Sequence, residues 1–187
     1  MSLETNFHTP VRCSVFIALS LDGFIARPDG GLDWLPQPEP GEDYGYSRFI
    51  ETVDTVLMGR NTFEQVLTFP EYPYADQHVV VLTTRLLALP ARLTDKVQCM
   101  QGDPAQILAR LAEQGARHVY VDGGETIRRF LRAGLIQEMI LTRVPVLLGR
   151  GIPLFGDLDG EIPLEHVETV VYSHGLVQSH YRVLLKG

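Results

Sequence analysis

The sequence predicts an α/β domain: a mixed, mostly parallel sheet with helices on both faces and an antiparallel C-terminal edge. Three observations carry that expectation. Short apolar runs rich in β-branched residues, such as Thr55–Met58 and His78–Leu82, have the pattern of strands buried on both faces. Segments with helical spacing alternate with them and are bounded by Asp, Pro and Gly. From Glu138 onward, strand patterns succeed one another with no helix between them.

Length and composition set the frame. A chain of 187 residues fits one well-buried domain, expected over 11–187, behind a flexible N-terminal stretch 1–10 that has no periodicity. A hydrophobic fraction of 45% is that of an ordinary globular protein. The net charge of −7, with lysine only at Lys96 and Lys186 and no basic cluster, argues against nucleic acid or an anionic membrane as partner. The apolar run Cys13–Leu19 is too short to span a bilayer, and Ser20 and Asp22 break any signal pattern, so a cytoplasmic location is expected. Cys13 and Cys99 lie far apart in strand-like contexts and read first as two buried free thiols, with a single bridge as the alternative.

Along the chain, Arg12–Leu19 reads as a central first strand, ended by the turn dipeptide Asp22-Gly23. Arg27–Gly41 is a long Pro/Gly/Asp-rich loop around Leu32 and Trp34, read either as a lid or as a surface loop pinned by one aromatic. Asp43–Val53 carries Tyr46, Phe49, Ile50 and Val53 at helical spacing. After the strand Thr55–Met58, Gly59 precedes a helix that Asn61 or Thr62 can cap. Strands follow at His78–Leu82, Val97–Met100 and His118–Val121. The helix after Asp103-Pro104 ends at Gly115, and helix Glu125–Ala133 ends at Gly134. Met139–Val144, Ile162–Tyr172 and Leu176–Leu185 complete the strands.

Three strand ends carry unusual chemistry: Gly59-Arg60-Asn61-Thr62, Thr83-Thr84-Arg85 and Asp122-Gly123-Gly124-Glu125-Thr126. Ligands of open α/β sheets bind beyond the carboxyl ends of parallel strands. Paired glycines let a backbone approach a ligand closely, helix N-termini suit anions, and Arg60 can pair with phosphate oxygens. Thr83, Thr84 and Arg85 offer hydroxyls and a cation suited to a ribose 2′-phosphate. The recurrence points to a dinucleotide phosphate site, although no G-x-G-x-x-G or Walker A loop is present.

These segments, in this order, resemble the dihydrofolate reductase-like family. The closer likeness is to its branch that contains the reductase domain of riboflavin biosynthesis. Ser20–Ala26, Leu57–Glu64, Val80–Arg85, Val121–Thr126, Val144–Gly149 and Gly151–Phe155 carry the likeness over most of the chain. The resemblance implies a three-layer sandwich around an eight-stranded sheet and NADPH as hydride donor. It places Gly59, Arg60, Asn61 and Thr62 at the pyrophosphate and Thr83, Thr84 and Arg85 near the 2′-phosphate. Gly123, Gly124, Glu125 and Thr126 come under the diphosphate and nicotinamide ribose, with Ala18, Ile25, Leu82, Gly102 and Asp122 completing the cofactor set. It also implies a cis Gly123–Gly124 peptide, an Asp22–Trp34 loop closing over the nicotinamide, and a homodimer joined through the late strands.

The implied activity is reduction of a small heterocycle or ribosyl-aminopyrimidine, as by 5-amino-6-(5-phosphoribosylamino)uracil reductase. Dihydrofolate reductase activity and a non-catalytic nucleotide-binding role are the alternatives. Asp22 and Asp43 are the titratable candidates for proton delivery, beside water; Asp22 reads equally well as a turn residue. Trp34, Tyr46 and Phe49, with those two carboxylates, are candidate substrate contacts, the aromatics also fitting plain helix packing. No basic cluster for a substrate phosphate is apparent. His166-Val167-Glu168 lacks the P-C-x-x-C of a zinc deaminase and reads as a strand with an exposed histidine, so no metal is expected.

Overall fold

Strands that are apolar on both faces need cover on both faces, and the chain supplies it. The computed structural model describes residues 11–184; the expected flexible stretch 1–10 and the last three residues lie outside the described residues. The strands of the main sheet are β1 (Arg12–Ser20), β3 (Thr55–Gly59), β4 (His78–Leu82), β5 (Val97–Met100), β6 (His118–Asp122), β7 (Glu138–Val144), β9 (Leu164–Val171) and β10 (Val177–Val183). They are ordered β5-β4-β3-β6-β1-β7-β10-β9. Every pairing from β5 to β7 is parallel, and β10 pairs antiparallel with both β7 and β9. Short strands β2 (Phe24–Ala26) and β8 (Ile152–Pro153) pair separately.

Alternation along the strands sends neighbouring residues to opposite faces. Leu57, Val80 and Val121 pack with α3 (Pro104–Glu113) and α4 (Gly124–Arg132) through Ile107, Leu108, Leu111, Ile127 and Phe130. Val56, Met58, Val79 and Val81 pack on the other face with α1 (Tyr46–Ile50) and α2 (Arg60–Val66) through Phe49, Phe63 and Val66. Three layers result. Asp103 caps α3 by accepting from the Ala105 N–H at 2.9 Å, with Pro104 in the first turn.

The structure corrects several local expectations. The helix expected over Asp43–Val53 is reduced to Tyr46–Ile50, because Tyr44 (φ 55°) and Gly45 (φ 80°) lie consecutively in the left-handed region. α2 starts at Arg60 with Gly59 as N-cap, so neither Asn61 nor Thr62 caps it. β9 is shorter than Ile162–Tyr172, and Leu185 lies outside the described residues. Cys13 is buried, which raises its thiol to about 12. Cys99 is exposed, since it lies on the edge strand β5 where nothing covers its outward face. No helix among the described residues is long and apolar enough to cross a membrane.

Candidate active site at the carboxyl ends of the strands

The carboxyl ends of β3 and β6 are held together by glycines. A Cβ on Gly123 would sit 2.4 Å from Thr62 Oγ1, and one on Gly124 would sit 2.9 Å from Ile25 Cδ1. Gly123 also has φ 87°, a conformation that side-chain-bearing residues rarely adopt. This close approach brings the start of α2 against the start of α4. The expected cis Gly123–Gly124 peptide is corrected: no cis bond occurs among the described residues. The positive φ of Gly123 turns the chain into α4, and a non-proline cis bond would add about 3 kcal/mol of cost.

Two cavities flank this junction. The smaller, about 590 Å³, is lined by Arg60, Asn61, Leu82, Thr83, Thr84, Arg85, Gly102 and Arg129, with Gln101 and Ile107. It gathers the ends of β3, β4 and β5, as the sequence suggested, and adds Arg129 from α4. The Arg129 guanidinium donates to Gly102 O at 2.9 Å, and Arg60 Nε donates to Glu64 Oε1 at 2.6 Å. Thr83 Oγ1 accepts from the Arg85 N–H at 3.1 Å, fixing the turn after β4. Three guanidinium groups around backbone and hydroxyl donors form an anion-attracting wall.

The larger cavity, about 810 Å³, lies on the other side of Asn61, which lines both. Ala18, Ile25, Thr62, Gly123, Gly124 and Glu125 face it, with Ile17, Leu32, Leu35 and Phe69 as apolar wall. The 27–41 loop covers it. Gln65 Nε2 donates to Gly30 O at 2.7 Å, tying the loop to α2, and an Arg27–Asp33 ion pair at 2.6 Å braces the loop internally. The loop thus forms part of the cavity wall and is fixed to α2.

Asp122 stands at the floor of this cavity, among Tyr46, Tyr74 and Tyr120. Its Oδ1 accepts from the Gly123 N–H at 2.8 Å, and the Tyr74 hydroxyl donates to Oδ2 at 3.4 Å, a long bond. Burial raises the Asp122 carboxyl above the ordinary carboxylate range, and these two donors offset only part of that. Burial pushes the Tyr46 phenol up to about 12 and Tyr74 well above its usual value, the Asp122 carboxylate adding to both. The group is thus three phenols around one carboxyl, with burial favouring the neutral form of each.

The carboxylates singled out as catalytic candidates, Asp22 and Asp43, do not line this cavity. Asp22 is exposed and outside the cavity. It accepts from Ser20 Oγ at 2.6 Å and from the Leu148 and Gly149 N–H groups at 3.1 and 2.8 Å. Those bonds, the Ser20 hydroxyl foremost, hold its carboxyl below the usual range and make it a clamp between two turns. Asp43 is also exposed; it accepts from the Gly45 and Ser47 N–H groups at 2.9 and 2.8 Å, and Ser47 holds its carboxyl low. Phe49 is a core residue between Phe16 and Tyr120. Trp34 does not line the cavity, although Leu32 and Leu35 beside it do. Gly59 and Thr126 meet at the helix junction and line neither cavity. Sequence reasoning missed Gln65, Phe69, Tyr74, Tyr120, Arg128 and Arg129; the two tyrosines of Pro70–Tyr74 were the visible signal. His166 is an exposed residue of β9 paired to Thr169, and no metal-holding group of acidic, His or Cys residues occurs among the described residues.

The chain belongs to the RibD C-terminal domain family, which it matches over residues 13–178. Its fold is the dihydrofolate reductase-like one. It is 39% identical to the uncharacterised Bacillus subtilis protein YwjB over 170 residues, covering 89% of this chain and 95% of that one. A crystallised Shewanella sp. PV-4 protein with a provisional riboflavin-biosynthesis name is 40% identical. It superposes with a TM-score of 0.86, over 93% of this chain and 99% of that one. The dihydrofolate reductase HdrB of Haloferax volcanii is 34% identical over 137 residues, 71% of this chain and 67% of that one.

Proposed function

We propose that the protein is an NADPH-dependent reductase of a small heterocyclic substrate. The observation that carries this reading is the pair of cavities at the strand ends, joined at Asn61: one ringed by arginines, the other apolar and floored by Asp122. Arg60, Thr83, Thr84, Arg85 and Arg129 suit the 2′-phosphate end of the cofactor, and Asn61, Thr62 and Gly123–Glu125 suit its diphosphate and nicotinamide ribose. The glycine cradle is compatible with such a ligand: a Cβ at 123 or 124 would strike Thr62 or Ile25, so both positions keep a bare backbone at the cavity edge. Bound there, the nicotinamide supplies the hydride.

The chain's own residues do the remainder. The 27–41 loop, with Leu32 and Leu35, excludes water from the cavity. Asp122 holds a proton at a carboxyl oxygen and delivers it to the nitrogen or oxygen of the reduced C=N or C=O bond. Tyr74 orients that carboxyl. These roles replace those expected of Asp22 and Asp43.

A second reading is dihydrofolate reduction, favoured by the identity to HdrB. We also propose a homodimer. All eight residues of the outer strand β9 are exposed, Leu164, Val167, Val170 and Val171 among them, and an uncovered apolar edge strand is a template for pairing. The reductase reading is tested by thermal shift with NADPH, NADH and NADP⁺, then by NADPH oxidation with dihydrofolate and aminopyrimidines. NADPH is expected to raise Tm in proportion to the logarithm of its concentration over Kd. An equal shift with NADH undermines the roles of Arg60, Thr83, Thr84 and Arg85, and no shift with any of the three removes the proposal.

A further inference from the structure

Resting on the reductase reading of the larger cavity, we infer that its substrate is a heterocycle that carries no phosphate or other anionic group inside the cavity. The riboflavin branch that the sequence resembles reduces a phosphoribosylated ring, so the inference separates this chain from that branch.

The charged side chains that line the cavity are Asp29, Asp122, Glu125 and Arg128. Three are acidic, and the one cation is already engaged. The Arg128 guanidinium donates to Pro153 O and, at 2.9 Å, to Glu125 Oε2, with only 14% of the side chain exposed. Arg60, Arg85 and Arg129 line the other cavity and none lines this one. Arg27, at the root of the lid, is paired to Asp33 through two bonds of 2.6 and 2.9 Å.

A phosphate entering under the lid, away from the glycine cradle, would lose its hydration against apolar walls, meet the Asp29 carboxylate and the Glu125–Arg128 pair, and gain no unpaired cation. An uncharged or positively charged ring meets the opposite situation. Tyr46, Tyr74 and Tyr120 present aromatic surface, and Asp122 is a hydrogen-bond partner for ring N–H groups. The segregation of charge is thus a selection rule: the cofactor's phosphates belong on the arginine side and at the glycine cradle beside Asn61, and the reacting ring brings none.

The test uses the full chain loaded with NADPH, whose binding is established first by thermal shift, so that failure of the reductase reading is seen separately. Calorimetric Kd values are then measured for a 2,5-diaminopyrimidinone, its riboside, its ribose 5-phosphate and a tail-free dihydropterin. At least one uncharged member is expected to bind, and the riboside is expected to bind at least about tenfold tighter than its phosphate. Equal or tighter binding of the phosphate overturns the inference, as does failure of every uncharged ring to bind the loaded protein. A second measurement guards the charge argument. Asp29→Asn, outside the catalytic group, is expected to narrow the riboside-to-phosphate ratio about threefold, and a ratio that widens counts against it.

Discussion

The two cavities share Asn61 and little else. One gathers three arginines, Arg60 bonded to Glu64 and Arg129 to Gly102 O; the other holds a half-buried carboxyl among three phenols, with its one arginine bonded to Glu125 and Pro153 O. Both are built by the same device, a parallel strand that ends in a turn. What differs is which residue leaves the turn. After β4 it is an exposed hydroxyl-rich turn, and after β6 it is an acid facing inward against apolar surface. The fold thus offers a frame with two electrostatic ends, and the difference assigns them different parts of a reaction.

The largest expected effect comes from converting one end toward neutrality. Asp122→Asn is expected to lower kcat/KM by about 10²–10³ while NADPH affinity stays within about twofold, because proton delivery is lost and the arginine side is untouched. It also separates stability from activity. Burial raises the Asp122 carboxyl, so its stabilising contribution is complete below the unfolded value of about 3.9 and fades as pH climbs through the raised folded value. Asparagine does not titrate. The variant is therefore expected to melt above the wild type at pH 8 and to converge toward it near pH 4. Melting curves across that range check the sign; a variant that melts lower at pH 8 contradicts the burial argument.

The junction between the cavities is next. Gly123→Ala places a Cβ within 2.4 Å of Thr62 Oγ1 at φ 87°, so a loss of about 1–3 kcal/mol and about 5 °C in Tm is expected, with weaker NADPH binding. Adding Thr62→Ala removes the collision but leaves the dihedral strain. Only part of the loss is expected to return in the double variant, and full recovery would show that contact alone fixed the glycine.

On the arginine side the effect is smaller and selective. Arg85→Ala is expected to weaken NADPH about tenfold and NADH less than twofold, the loss of one charge-assisted contact. Titrations at two ionic strengths sharpen the contrast, since the NADPH penalty shrinks as salt screens the exposed site. Equal losses for both cofactors would place Arg85 away from the 2′-phosphate.

The two ends were not equally legible in the sequence. Gly59–Thr62, Thr83–Arg85 and Gly123–Gly124 could be read because their chemistry is local: a glycine, a cation or a hydroxyl at the end of an apolar run announces a turn. The strand runs were legible for the same reason, since period and β-branching are properties of neighbours. The acid-and-phenol group is a property of distance. Tyr46, Tyr74, Tyr120 and Asp122 meet only after a helix, a loop and a strand have closed around one cavity, and no spacing encodes that. The shortening of the first helix was hidden similarly, since Tyr44 and Gly45 adopt left-handed conformations that the apolar spacing of Tyr46, Phe49 and Val53 does not reveal.

Asp22 gives the smallest expected effect and the sharpest contrast with Asp122. Both precede glycine close to the end of a strand pattern, yet the sequence reading made Asp22 a candidate for proton delivery and gave Asp122 to the cofactor set. In the fold one carboxylate is spent on Ser20, Leu148 and Gly149 at the surface, and the other faces the cavity. Asp22→Asn is therefore expected to leave kcat within about twofold of the wild type. It removes a carboxyl that is held low, whose contribution is present above the unfolded value and lost as pH falls through the folded one. The variant should thus melt slightly lower at pH 7 and converge toward the wild type as pH falls below the unfolded value, the reverse of the Asp122 pattern. Assays of both variants at one pH decide the matter: a large loss of turnover in Asp22→Asn with none in Asp122→Asn would return the proton to the lid turn and leave the buried carboxyl as a structural anchor of β6.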